Sequence, residues 1–130
     1  MRRRKLVMGL MGLMGFVGCG SATPEELASL AAEGYYRHLL AGEYEQFLQG
    51  RVGCDSLPED YREQLLVGYK QFMAQQQAAH QGIRSVQVSN AVNDTTQQLM
   101  QVMLLLEYGD STQEEIVVPM VEHEGSWRMK

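Results

Sequence analysis

The chain has 130 residues, a single-domain length, with 11 basic and 16 acidic side chains and a net charge of −5. Four of the basic residues are Arg2, Arg3, Arg4 and Lys5, so the remainder holds 7 basic against 16 acidic residues. That balance excludes a general nucleic-acid binder, because little is left to neutralise phosphates. A hydrophobic content of 45% excludes a wholly disordered chain, and two cysteines exclude a disulfide-built scaffold.

Arg2 to Lys5 read as a basic n-region, and Leu6 to Val17 as a 12-residue apolar stretch too short to cross a bilayer. The stretch ends in Phe16-Val17-Gly18-Cys19-Gly20-Ser21. This segment resembles the lipobox of bacterial lipoproteins, with Phe16 in place of the usual Leu and with Gly18 and Cys19 where that family requires them. The resemblance implies cleavage before Cys19, a diacylglycerol on the Cys19 sulfur and often an acyl chain on the new amine. Two or three chains anchor stably where one is marginal. The expected organisation is a signal peptide over residues 1–18, a lipidated tether over 19–23 and one α+β domain over 24–130. The resemblance places the body in the bacterial cell envelope, tethered to a membrane. Gly20 rather than Asp after the cysteine resembles the outer-membrane sorting rule, and Glu25-Glu26 resembles a surface-export signal. Cys54 is then left without an intramolecular partner and reads as a small apolar filler.

Thr23-Pro24-Glu25-Glu26 predicts a capped helix start, with Thr23 as N-cap, Pro24 at the first position and Glu26 as the capping-box partner. The helix is expected from Pro24 to about Ala41, with Leu27, Leu30, Ala31, Gly34, Tyr35, His38 and the terminal Ala41 on the inward face, Tyr36, Leu39 and Leu40 widening the apolar arc, and Gly42 as the stop. A short helix follows over Glu43–Leu48, with Tyr44, Phe47 and Leu48 inward. Ser56-Leu57-Pro58-Glu59 repeats the capping pattern and opens a long helix to about His80, ended by Gly82. Its inward stripe is read as Tyr61, Leu65, Gly68 or Tyr69, Phe72, Gln76 and Ala79.

From Ile83 the period becomes two. Strands are expected over 83–92, 97–108, 114–123 and 126–130, separated by Asn93-Asp94, Gly109-Asp110-Ser111 and Glu124-Gly125. Short turns between successive strands demand an antiparallel meander. Helices first and strands afterwards give an α+β layout. The strand 97–108 is apolar on both faces, with Leu99, Met103 and Leu105 on one and Val102, Leu104 and Leu106 on the other. The helices cover one face. The other needs a pocket wall or a second copy.

This order, with Ala41-Gly42-Glu43-Tyr44-Glu45 between helices, Gly82-Ile83 at strand entry, Tyr108-Gly109-Asp110-Ser111 at the hairpin and Gly125-Ser126-Trp127-Arg128 at the end, resembles the nuclear-transport-factor-two-like superfamily, and within it small bacterial lipoproteins of unknown function. The resemblance covers most of residues 24–130. It implies a cone with a pocket and no single activity, since the fold hosts enzymes, binders and assembly modules.

No residue set carries recognised chemistry. His38, His80 and His123 lie on separate elements without ligand spacing, so no metal or cofactor is expected. Asp55, Asp60, Asp94 and Asp110 fall in turns, connections or a helix start. For acid–base chemistry of the superfamily kind, Glu107 is the first candidate and His38 the second. Trp127 reads as structural. The resulting expectation is a non-catalytic envelope lipoprotein anchored at Cys19 that binds a small apolar ligand or a protein partner. A pocket lined by Tyr35, Tyr69 and Met103, or a homodimer through the opposite sheet face, satisfies the packing. The alternatives are an isomerase- or dehydratase-like enzyme and a purely structural homodimer.

Overall fold

The computed structural model describes residues 22–130; the leader and the lipidation candidate Cys19 lie outside the described residues. Four helical segments come first: α1 over Pro24–Leu40, α2 over Tyr44–Gln49, a single 3-10 turn over Cys54–Ser56 and α3 over Glu59–His80. Four strands follow: β1 over Ile83–Asp94, β2 over Leu99–Tyr108, β3 over Gln113–His123 and β4 over Ser126–Met129. They form one antiparallel sheet in the order β1-β2-β3-β4. The α+β meander expected from the periodicity is present.

The start of α1 is fixed locally. Thr23 Oγ1 accepts the Glu26 N–H at 3.1 Å and Glu26 Oε1 accepts the Thr23 N–H at 2.8 Å, which satisfies two otherwise orphaned donors. Between β3 and β4, Glu124 and Gly125 both take positive φ (52° and 83°). That pair of angles makes a tight hairpin whose twist matches the strands.

The core lies between the sheet and α1. On β2, Met100, Val102, Leu104, Leu106 and Tyr108 are buried, and they face Val86, Val118, Met120 and Met129 from the neighbouring strands. The register pairs Val102 with Val118 and Leu104 with Ile116, so the buried side chains of adjacent strands stand in rows. The alternate β2 residues Gln101, Met103, Leu105 and Glu107 point to the other face and are half-buried.

The inward face of α1 differs from the expected one. Leu39 is nearly buried as expected, but Ala28 and Ala32 are fully buried whereas Leu27 and Leu30 are 45% and 63% exposed. The helix rests on the sheet through two alanines one turn apart, whose small side chains let it approach closely. A reading weighted by side-chain hydrophobicity selects the larger leucines and rotates the helix. The start of α3 is corrected as well. Its N-cap is Pro58 with no side-chain cap, and Ser56 ends the preceding 3-10 turn.

No residue of α3 is buried. A half-buried stripe of Leu65, Tyr69, Met73 and Gln76 faces inward, while Tyr61 and Phe72, expected inside, are exposed. The C-terminal end of α3 is pinned: Gly109 N–H donates to the Gly82 carbonyl at 2.8 Å and Asp110 N–H to the His80 carbonyl at 2.9 Å. The helix is thus held to the β2–β3 hairpin and roofs a space it does not fill.

Candidate functional site

That space is a chamber of about 520 Å³ between the helices and the inner face of the sheet. Its volume lies within the range of small-ligand sites, roughly 300–1,000 Å³. α1 supplies Tyr36 and Leu39, α2 supplies Phe47, and α3 supplies Tyr69, Phe72 and Gln76. The inner face of the sheet supplies Ile83, Leu106, Tyr108, Glu114 and Ile116. Most of these side chains are apolar or aromatic, with Gln76, Glu114 and three phenols as the polar groups.

The three helices meet through their aromatic rings. Tyr36 and Phe47 stand edge to face with centroids 5.2 Å apart, and Phe47 and Tyr69 likewise at 4.9 Å. This arrangement sets the electropositive edge of one ring on the face of the next. The Tyr36 phenol is pushed above its ordinary pKa, first by burial and then by the neighbouring Tyr69 phenol.

A smaller space of about 300 Å³ adjoins the chamber, and Tyr36, Phe47 and Tyr69 line both. Arg51, Pro119, Met129 and Lys130 complete its wall. The Gly50–Val52 segment is positioned there by backbone pairing with β4: Met129 N–H donates to the Gly50 carbonyl at 2.7 Å and Val52 N–H to the Met129 carbonyl at 2.8 Å.

A polar cluster closes the hairpin end. The Tyr108 hydroxyl donates to Glu114 Oε1 at 2.5 Å. Burial, the Glu114 hydrogen bond and the Glu114 and Asp110 charges push the Tyr108 phenol up to about 12. The His80 ring stacks on Tyr108 at 4.4 Å, and His80 Nδ1 lies 3.0 Å from Asp110 Oδ2. Asp110 Oδ1 accepts the Thr112 hydroxyl at 2.5 Å and the Thr112 N–H at 3.0 Å. These two bonds, joined by the His80 contact, hold the Asp110 carboxyl down at about 2. His80 and Asp110 are 30 positions apart in sequence, which is why neither residue stood out before folding.

The residues expected at the site separate. Tyr69 lines the chamber. Tyr35 serves packing instead: its hydroxyl donates to the Trp127 carbonyl at 2.7 Å, and its ring covers Gly50. Met103 is corrected. It pairs with Val117 and Asn90 on the sheet face opposite the buried row of β2, away from Tyr35 and Tyr69. The strand alternation alone could not say which face α1 would cover.

The two acid–base candidates lie apart. Glu107 accepts from Ser85 Oγ at 3.3 Å and sits 3.4 Å from Arg84 on the outer face. His38 Nδ1 is 2.7 Å from Glu43 Oε1 on the exposed side of α1. The Cys54 thiol is pushed up by burial and by Asp55, which works against a reactive thiolate. No group of three or more metal-ligating side chains is present among the described residues. Besides the aliphatic residues Leu39, Ile83, Leu106 and Ile116, the lining residues that sequence reasoning did not assign to the site are Tyr36, Phe47, Phe72, Gln76, Tyr108 and Glu114. A cluster of aromatics, one or more per helix, was the available signal, and core filling explained it equally well.

No protein-family model matches the chain, and no curated protein matches it in sequence. Among solved structures, a Campylobacter jejuni protein assigned the name NTF2-like transpeptidase superposes with a TM-score of 0.59 at 9% identity. The match covers 75% of this chain and 92% of that one. At that identity the likeness concerns the fold: the domain has the nuclear-transport-factor-two-like cone.

Proposed function

We propose that this cone-shaped domain is the binding body of a bacterial envelope lipoprotein, non-catalytic, that takes a small apolar ligand into the chamber beneath α3. The observation that carries the reading is the roof itself. A helix of 22 residues buries none of its side chains, yet it is pinned at its end over an aromatic chamber of about 520 Å³. Chamber walls of this kind supply apolar burial at about 25 cal/mol per Å², with a few polar groups to orient what enters. No serine or cysteine lines the chamber, so the transpeptidase name of the Campylobacter protein is not extended to this chain.

The test is saturable binding of a neutral, polarity-sensitive naphthalene dye to the full-length chain. Ile116→Trp fills the chamber from a half-buried strand position and should abolish the signal while the melting temperature holds. Dye binding unaffected by Ile116→Trp overturns the reading. The anchoring half is tested by Cys19→Ser, which should move the protein out of the membrane pellet or leave it unprocessed; an unchanged pellet fraction overturns it.

The outer sheet face favours a second role, pairing with another copy. Val92 and Val117 are 44% and 53% exposed there, flanking Met103 and Leu105. Sedimentation of the full-length chain should show a dimer that Met103→Glu dissociates. A wild-type monomer at high concentration rules pairing out.

A further inference from the structure

We propose that the ligand is a single-chain amphiphile with an anionic head, held tail-first in the aromatic chamber with its head between Arg51 and Lys130. This rests on the chamber reading above and adds a polarity to it.

The chamber is not symmetric end to end. At the α3–hairpin end its polar groups are Glu114, Tyr108 and Gln76. Glu114 already accepts the Tyr108 hydroxyl, and a carboxylate at that end repels an anion. The opposite end holds Arg51 and Lys130 and no acidic side chain. The two spaces adjoin, because the rings of Tyr36, Phe47 and Tyr69 border both.

The two cations are also available. Three of the described cations are neutralised by carboxylates. Arg37 pairs with Glu33, Arg62 with Glu45 and Arg84 with Glu107. Among the described residues, Arg51 and Lys130 form no such pair, as Lys70 and Arg128 also do not; only Arg51 and Lys130 of these four line the chamber region. Their positions are set by backbone: Arg51 bridges Met129, and Lys130 N–H donates to the Pro119 carbonyl at 2.9 Å. Two cationic side chains are therefore brought to one rim by main-chain pairing, beside an apolar wall that no acidic side chain lines. A guanidinium offers a planar fork to a carboxylate and an ammonium adds a point charge, so an anionic head meets complementary charge there. An apolar tail then runs along the edge-to-face rings towards Leu39, Leu106 and Ile116, where it replaces contact with water.

Octanoate, octanol and octyltrimethylammonium share one tail and differ in head charge, and short tails stay below micelle formation. Each is titrated calorimetrically into the full-length chain held in lipid nanodiscs, with empty nanodiscs run alongside to subtract partitioning. Octanoate should bind about tenfold tighter than octanol, the scale of a charge-assisted hydrogen bond at a partly hydrated site, and the ammonium should bind weakest. The double variant Arg51→Gln/Lys130→Gln should bring octanoate to the level of octanol while octanol is unchanged. Raising the salt from about 0.1 M to about 1 M shortens the screening length from about 10 Å to 3 Å and should shrink the octanoate preference in the wild type, without any substitution. Equal binding of octanoate and octanol, a preference for the ammonium, or a preference for octanoate that neither salt nor the double variant reduces overturns the head-group assignment and leaves the chamber reading standing. Failure of all three probes to bind the wild type overturns both.

Discussion

The Tyr35 hydroxyl donates to the Trp127 carbonyl at 2.7 Å across 92 positions of sequence, joining the first helix to the last strand. Trp127 is half-buried against the core beside Met129. Removing the hydroxyl with Tyr35→Phe should cost about 1 kcal/mol, the net worth of one hydrogen bond. Trp127→Ala removes a large packed ring and should cost about 3 kcal/mol, the low end for a tryptophan because it is not fully buried. Chemical denaturation of the two variants checks the order. Equal costs would show that the ring of Trp127 contributes little.

Two glycines should respond with opposite signs. A Cβ on Gly109 would stand 2.3 Å from the Gln81 carbonyl oxygen, a backbone atom that cannot step aside. Gly109→Ala should therefore destabilise by about 1–3 kcal/mol and loosen the end of α3. Gly34 lies inside α1 with no atom within 4 Å of an added Cβ. Gly34→Ala should stabilise by about 0.5–1 kcal/mol through helix propensity. Thermal melts of the pair decide it.

The hairpin cluster makes stability depend on pH at both extremes. The Asp110 carboxyl is lowered in the folded chain from 3.8 to about 2, chiefly by Thr112 and then by His80. Its contribution is complete above the unfolded value and is lost as pH falls from about 4 through 2. The Tyr108 phenol is raised from 10.0 to about 12, chiefly by burial. Its contribution is complete below 10 and is lost as pH rises through 12. Denaturation midpoints should fall less steeply with acid in Asp110→Asn, and less steeply with alkali in Tyr108→Phe. Slopes identical to wild type would remove these groups from the linkage.

Adjacent residues of β2 should differ sharply. Leu104 has no exposed surface and Leu104→Glu places a charge in the core, so the chain should not fold. Met103 is half-buried on the outer face, and Met103→Glu should fold with a modest loss. Circular dichroism melts of both variants distinguish them. If both unfold alike, the outer face is covered by protein in the folded state of the wild type.

What the sequence determined by itself was most of what depends on near neighbours; the local Ser56–Glu59 cap was the exception, because Pro58 takes the N-cap instead. The Thr23–Glu26 cap, the positive-φ Glu124-Gly125 turn and the alternation along β2 arise from residues a few positions apart, so their spacing alone specified helices followed by an antiparallel meander. What only the tertiary structure decided was which side of each element is inside. In α1 both Leu27/Leu30 and Ala28/Ala32 recur at helical spacing, and the close approach of helix to sheet selected the alanines. In β2 both faces are apolar, and the placement of α1 put Leu104 inside and Met103 outside. The chamber belongs to the same class of outcome. Tyr36, Phe47 and Tyr69 meet, as do His80 and Asp110, only after distant segments have packed, and no sequence period records a contact between separate elements.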